Sequence, residues 1–459
     1  MFNIKRLLLL FFIVLAFKTL SQNKQLLYDF AELPQTLLLN PGAETNYKFH
    51  VGLPLLSGFS SEFGAMGFTV SDLFAVDNRS INDKVSAVLN KLTTKDNIRL
   101  NTQIEILNAG FRANDKNYVS FGFYQEIDAI AYIPKDPLSL IIDGNSRYLN
   151  KNFDVSQILF RADALGVLHL GITRQVSDRF TFGARFKIYS SALNIESTNN
   201  SGTFTTVNGA DNIYAHYLDN LDINLRTSGL VANDEYIDTP KTYIGNTFLG
   251  SNLGIGIDVG FTAHLSDQLE FTGSIVDFGF MNHKKNVKNY SIKGSYNFDG
   301  IEFGYNPDNS INYWSDLEND FTAKVPNGEN QDSYISWRPT KLNTSVKYSF
   351  GQKRSKRCYD NSYKDFYRNA IGVQLYSVFR PLVSQLALTG FFEKSFSEKL
   401  QAKVTYTIDD YSFYNLGAAL SAQIGKINFY GMIDNIAQFS DIASANSISL
   451  QLGINIIFN

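Results

Sequence analysis

Cysteine is almost missing from this chain of 459 residues: Cys358 stands alone, so no disulfide can form within the molecule. It follows the basic run Lys353-Arg354-Ser355-Lys356-Arg357 and reads as an unpaired loop thiol. Histidine is nearly as scarce. His50, His169, His216, His264 and His283 include no pair at the HExxH spacing of a zinc hydrolase. A Gly-x-Ser-x-Gly nucleophile elbow and a P-loop are also missing. These gaps argue against an enzyme and leave no metal or cofactor to expect. The formal net charge is only -3, too weak a field to hold nucleic acid. Beyond residue 21 no apolar run reaches the roughly 20 residues that a transmembrane helix needs. Under that limit a chain can cross a membrane only as a closed barrel, because lipid offers no partner to an open backbone edge.

What is plentiful points the same way. Aromatic residues make up 14% of the chain, with 37 Phe and 25 Tyr, a composition that suits pleated strands. At the start, Lys5 and Arg6 precede the apolar stretch from Leu7 to Phe17, and Thr19-Leu20-Ser21 offers small residues before a cut. That is the pattern of a secretory signal peptide over residues 1–21, with Gln22 as the first mature residue.

Period-two alternation recurs along the mature chain. Ile448, Leu450, Leu452, Ile454, Ile456 and Phe458 share one face of the last segment, opposite Ser449, Gln451, Gly453 and Asn455. Leu253 to Leu265, Phe180 to Ile188, Leu400 to Ile408 and Leu416 to Ile424 repeat the pattern. The polar faces carry Arg99, Glu105, Glu126, Asp128, Arg185, Lys187, Asp258, His264 and Lys403. A dry sandwich core would not accept such charges. A barrel lumen would, and so would the wetted face of a soluble sheet. Glu126 and Asp128 share an inward face, as solvated wall or as partners of bases such as Arg99 or Arg185, with an acid pair that gates a pore or holds a cation as the functional alternative. Arg185 and Lys187 read as braces for an inserted segment, with attraction of an anionic headgroup or carboxylate as the alternative. Phe458 has the place of the aromatic assembly signal that ends outer-membrane barrels.

Short polar turns join these strands at Gln175–Phe180, His264–Leu269, Ser395–Leu400 and Gln423–Ile427. The remaining links are long. A helix is expected around Asn82–Asn90 and another within 134–154, while 197–250 and 282–340 are polar loops with strand excursions at 213–226 and 287–303. Short turns at one rim and long loops at the other are the asymmetry of an outer-membrane barrel. Placing the turns in the periplasm gives an all-β transmembrane antiparallel barrel of about 14 strands over residues 59–459, the first crossing near 61–70 and the basic stretch 351–366 periplasmic. Residues 22–58, with Leu33, Pro34, Leu37, Leu38, Leu39 and Pro41, then form an N-terminal plug.

Several motifs resemble known families. Leu38-Leu39-Asn40-Pro41-Gly42 is similar to the Asn-Pro-Ala motif of the FadL-like outer-membrane proteins and of PorV and PorP, with Gly42 in place of Ala. Over nearly the whole mature chain, a related uncharacterised family of Bacteroidota outer-membrane barrels resembles it through Leu37–Gly42, Phe121–Glu126, Lys187–Ser191, Trp337-Arg338-Pro339 and Ser449–Gly453. The FadL-like resemblance implies a plug and a gated route for small apolar or amphipathic molecules. The PorV-like resemblance implies instead a docking scaffold for exported surface proteins. Either implies the outer membrane, with its lipid and the barrel-assembly machinery as partners.

Overall fold

The computed structural model describes residues 24–30, 33–210, 212–232, 235–237, 240–250, 252–300, 313–353, 366–380, 384–409, 411–412 and 414–458. The leader expected over 1–21 and Cys358, with most of its basic stretch, lie outside them.

The wall begins with a crossing in two pieces, β1 (Phe49–Gly52) and β2 (Phe59–Ala65), followed by β3 (Asn97–Asn114) and β4 (Asn117–Tyr132). The short β5 (Asn152–Asp154) stands in a loop before the wall strands β6 (Phe160–Ser177) and β7 (Phe180–Ser197). Loop strands β8 (Ser201–Asn208), β9 (Tyr214–Ser228), β10 (Val231–Ala232) and β11 (Glu235–Tyr236) precede the wall strands β12 (Asn252–His264) and β13 (Leu269–His283). β14 (Asn289–Phe298) and β15 (Asn327–Asn330) belong again to a loop, while β16 (Tyr334–Trp337) and β17 (Lys341–Lys353) form one crossing. The wall ends with β18 (Phe366–Val378), β19 (Gln385–Ser397), β20 (Leu400–Ile408), β21 (Asn415–Ile424), β22 (Ile427–Asp434) and β23 (Ser447–Phe458). Neighbours are antiparallel throughout, and β23 pairs with β1 and β2, which pair in turn with β3. The result is a closed barrel of 14 crossings, so no wall edge is left unpaired.

The alternation in sequence becomes a barrel that is inside-out relative to a soluble protein. Leu100, Phe121, Leu170, Phe186, Ile257, Phe278, Val373 and Leu420 are exposed on the outer face. Arg99, Gln103, Arg185, Asp258, Thr389 and Lys403 are buried on the inner one. Tight turns between β3 and β4, β6 and β7, β12 and β13, β19 and β20, and β21 and β22 all fall at one rim. The longest links fall at the other. There the helix Ile81–Lys91 starts in a capping box of Ser80 with Asp83, close to the sequence expectation. The helix within 134–154 spans Lys135–Asp143. The two excursions are β9 and β14, which join β5, β8 and β15 in a sheet standing on the loop rim.

One expectation fails at the start of the barrel. The first crossing begins at Phe49, not near 61, and the chain leaves the sheet after Ala65. Residues 49–52 of the expected plug are therefore wall, paired with Asn455–Phe458. Phe49-His50-Val51-Gly52 alternates for too short a stretch before Pro54 to stand out in sequence. At the far end, Thr69 and Asp72 form a capping box that starts the helix Val70–Phe74 and turns the chain away.

Candidate functional site

The lumen holds a network of charges that the strand registers assemble. Arg185 on β7 stands opposite Asp258 on β12. Opposite Asp258, β13 carries a bulge, so that Val276 and Asp277 both turn inward. Asp277 holds a φ of 62°, and its N–H donates to Asp258 Oδ1 at 2.7 Å. Lys187 bridges the two acids, 2.8 Å from Asp258 and 2.7 Å from Asp277, while Arg185 lies 3.7 Å from Asp258. Lys341 reaches Asp277 at 2.8 Å, and Arg338 reaches Glu126 at 2.7 Å. A buried charge is tolerated only when an opposite charge stands beside it, and this sharing of acids among bases supplies one to each member.

Glu126 and Asp128 do not pair with Arg99 or Arg185. Asp128 takes two bonds from Arg380, at 2.8 and 2.9 Å, and Glu126 belongs to Arg338. Arg99 pairs with Glu62 across the β2–β3 register and donates to Gln385 Oε1 at 2.9 Å. Arg99, Glu126, Asp128 and Arg185 are all buried, and the tilt of the strands sets their partners. Arg185 and Lys187 likewise brace the wall acids rather than the N-terminal segment. Sequence reading missed Glu62, Asp277, Arg338, Lys341 and Arg380. A signal existed for two of these, since Trp337-Arg338-Pro339 is echoed by Phe379-Arg380-Pro381.

Residues 24–30 and 33–47 lie among these inner faces. Lys24 donates to Gln103 on β3, and Asp29 accepts from Thr272 on β13 at 2.7 Å. Lys403 on β20 donates to the Tyr28 carbonyl at 2.7 Å and pairs with Glu393 at 3.2 Å. Gln35 donates to Glu105 at 3.1 Å, to Asn455 at 3.0 Å and to the Ser57 carbonyl at 2.9 Å. Partners on so many sides of the wall mean that the segment occupies the lumen.

Asn40-Pro41-Gly42 lies flat against the wall. The Asn40 side chain accepts from the Gly42 N–H at 2.9 Å and donates to the Phe261 carbonyl at 3.2 Å. Wall hydroxyls bind the main chain: Ser274 donates to the Leu39 carbonyl at 2.6 Å, Thr173 to Pro41 at 2.6 Å and Thr262 to Gly42 at 2.9 Å. A Cβ at Gly42 would come within 2.4 Å of the Gly260 carbonyl oxygen, and one at Gly183 within 1.9 Å of that of Pro41. This contact leaves no room for the methyl group of an alanine at position 42. It also explains the inward Gly260 of β12, where a Cβ would meet Asn40 Oδ1 at 2.1 Å, whereas a Cβ on Gly256 would meet the Tyr189 hydroxyl at 2.4 Å. Nearer the turn rim, Glu44 accepts from Thr181 at 2.9 Å and meets half-buried His264 at 3.0 Å. Burial raises the Glu44 pKa, but the bonds from His264 and Thr181 and the nearby positive charge outweigh it and hold the group below its ordinary value.

The wall is interrupted beside this segment. Residues 53–58 stand opposite only Gly453 and Ile454, so β1 and β2 enclose four residues in excess. They leave as a turn closed by Leu56 N–H to the Leu53 carbonyl at 2.9 Å, and both of its ends bond Ile454. Leu55 takes a φ of 65°, and Leu55 and Leu56 are 57% and 52% exposed on the outer face. An even insertion keeps the inward–outward alternation of β2 in step with β1. Behind the turn, Gln35, Leu38, Gly58 and Glu105 line a cavity of only about 20 Å³. Phe458 packs at the turn rim against Phe49, ring centroids 5.5 Å apart. Among the described residues no cluster of three His, Cys, Asp or Glu could hold a metal.

Several solved barrels are similar in outline. The Ralstonia pickettii toluene transporter TbuX shares 9% identity over 95% of this chain and 100% of its own, at a TM-score of 0.40. A Pseudomonas aeruginosa FadL homologue shares 9% over 94% of each chain, at 0.41. The translocator domain of the autotransporter NalP from Neisseria meningitidis shares 7% over 92% of each, at 0.35. No curated protein matches the sequence. Residues 41–434 match a family described as of unknown function, DUF5723, and the chain belongs to that family.

Proposed function

We propose that this protein is an outer-membrane barrel providing a gated route for small apolar or amphipathic molecules. In this reading the turn rim faces the periplasm, the loop rim faces outward, and residues 24–47 are the plug. The interrupted first crossing is the observation that supports it most. The charged lumen disfavours axial passage of an apolar solute, since each buried ion pair would lose its partners or its polar surroundings. A sideways passage at the Leu53–Leu56 turn avoids that penalty. There a single wall segment, held from inside by Gln35, separates the plug from lipid. In the described state the passage is shut.

The test removes Leu53–Leu56. That deletion leaves Ser57 and Gly58 opposite Ile454 and Gly453 and should restore an unbroken strand without changing register. Uptake of a neutral apolar probe such as toluene into proteoliposomes should then fall at least tenfold, while the barrel still assembles. Undiminished uptake by the deletion variant would refute the sideways route. If the intact protein passes no such probe and co-purifies with exported surface proteins, the docking function replaces transport.

A further inference from the structure

The sheet on the loop rim carries an apolar cavity of about 580 Å³, well away from the plug. Strands β8, β9 and β14 supply one side and the helix Tyr313–Lys324 the other. Phe204, His216 and Phe298 form a stack across the three strands, with centroids 5.8 and 5.9 Å apart and planes 14° and 10° from parallel. Tyr296 and Phe321 meet edge to face at 5.1 Å and tie the helix to the sheet over buried Leu221 and Val325. The cavity is therefore a preformed space between packed elements. Trp314, at the start of the helix, stands 74% exposed on its rim.

Its polar groups define what it can hold. Asn145 Nδ2, which can only donate, lies 3.3 Å from His216 Nδ1, and the Thr206 hydroxyl lies 3.1 Å from the same atom. The ring proton of His216 is thereby fixed on Nε2, which is left to donate to a ligand. Burial lowers the His216 pKa, so the ring is neutral at pH 7. Among the described lining residues the only formal charge is Glu318. Nearby Lys324 is held by Asp320 at 3.0 Å. A carboxylate ligand would be repelled by Glu318, while the nearest cation, Lys324, is shared between Asp320 and the face of the Tyr296 ring. A volume of this size lined by rings fits a compact organic molecule.

We propose that this cavity binds a neutral aromatic molecule bearing a hydrogen-bond acceptor. The assignment does not depend on the lumen route, because binding here can be measured without passage. The experiment uses the full chain in lipid nanodiscs, titrated calorimetrically with 2-acetonaphthone against empty nanodiscs. One saturable site is expected. Trp314→Ala, which removes an exposed side chain and should not disturb folding, should weaken binding about three- to tenfold. His216→Phe keeps the stack but loses the donor. It should weaken 2-acetonaphthone binding several-fold and leave naphthalene, which has no acceptor, unchanged. Leu317→Arg should abolish both. Absence of a saturable site in the wild type, indifference to all three variants, or tighter binding of laurate than of 2-acetonaphthone would each overturn the assignment.

Discussion

Replacing Arg380 by Met isolates the energetic weight of one lumen ion pair. Arg380 binds both oxygens of Asp128, at 2.8 and 2.9 Å, and each side chain is only 2% exposed. Met removes the guanidinium but keeps most of the volume, so the expected loss comes from an unpaired buried carboxylate. Such a loss is about 3–5 kcal/mol, roughly a hundred- to several-thousand-fold in the folding equilibrium. Asp128→Leu alone strands the guanidinium instead and should cost a similar amount. The double replacement leaves neither charge and should return to within about 1–2 kcal/mol of the wild type. Equilibrium unfolding in guanidinium from phosphatidylcholine vesicles, followed by far-UV circular dichroism, reads all four corners of the cycle. Single variants within about 1 kcal/mol of the wild type would refute the reasoning. The pair would then be exchanging freely with water instead of standing sealed inside the lumen.

Three further outcomes are expected. Phe458→Asp should sharply reduce assembled, heat-modifiable protein in outer-membrane fractions, although a charge near the interface costs only about 0–1 kcal/mol in the folded barrel; normal assembly would remove its role as a targeting residue. Deleting residues 24–45, which leaves the wall from Phe49 intact, should raise single-channel conductance in planar bilayers and sensitise cells to bulky antibiotics. Unchanged conductance would assign the seal to a loop. The Glu44 latch should be acid-sensitive: a carboxylate whose folded pKa is lowered stabilises the structure above its unfolded pKa of about 4.3, and that stability is lost as pH falls through the folded value. Conductance should therefore rise as pH falls below about 4. A rise near pH 6 would point away from Glu44.

The wall was legible in sequence because each crossing obeys one short rule. Leu416, Ala418, Leu420 and Ala422 point one way and their neighbours the other, and a strand can be read from such a run alone. The inward positions of Arg99, Glu126, Arg185 and Lys403 follow from the same rule. Partners do not. Glu126 and Arg338 lie 212 residues apart and meet only because a tilted barrel brings β4 near the start of β17. Asp277 was hidden because a bulge sets two inward residues in succession, which breaks the period that alternation relies on. Arg338 and Arg380 were hidden because they lie just outside strands. The first crossing was misplaced because a four-residue insertion splits it into pieces too short to show a period. The aromatic cavity draws its rings from three strands and a helix, a combination with no local pattern at all.

The division of bonds between wall and plug bears on whether the plug can move. The charge network is almost entirely wall to wall: Lys187, Lys341, Arg338 and Arg380 all pair with acids on strands. The Asn40-Pro41-Gly42 stretch is held mainly by neutral hydroxyls donating to main-chain carbonyls. A neutral hydrogen bond contributes about 0.5–1.5 kcal/mol, so the three from Thr173, Thr262 and Ser274 together contribute only about 1.5–4.5 kcal/mol. Displacing that stretch would strand none of the wall ion pairs. The two classes of residue should thus respond differently. Combining Thr262→Val with Ser274→Ala should raise the frequency of channel openings while leaving the unfolding midpoint little changed. Asp277→Asn should do the reverse, lowering the midpoint by removing the charge that Lys187 and Lys341 share. If the hydroxyl variant destabilises the barrel as much as the Asp277 variant and opens no channel, the segment is a fixed stopper rather than a gate.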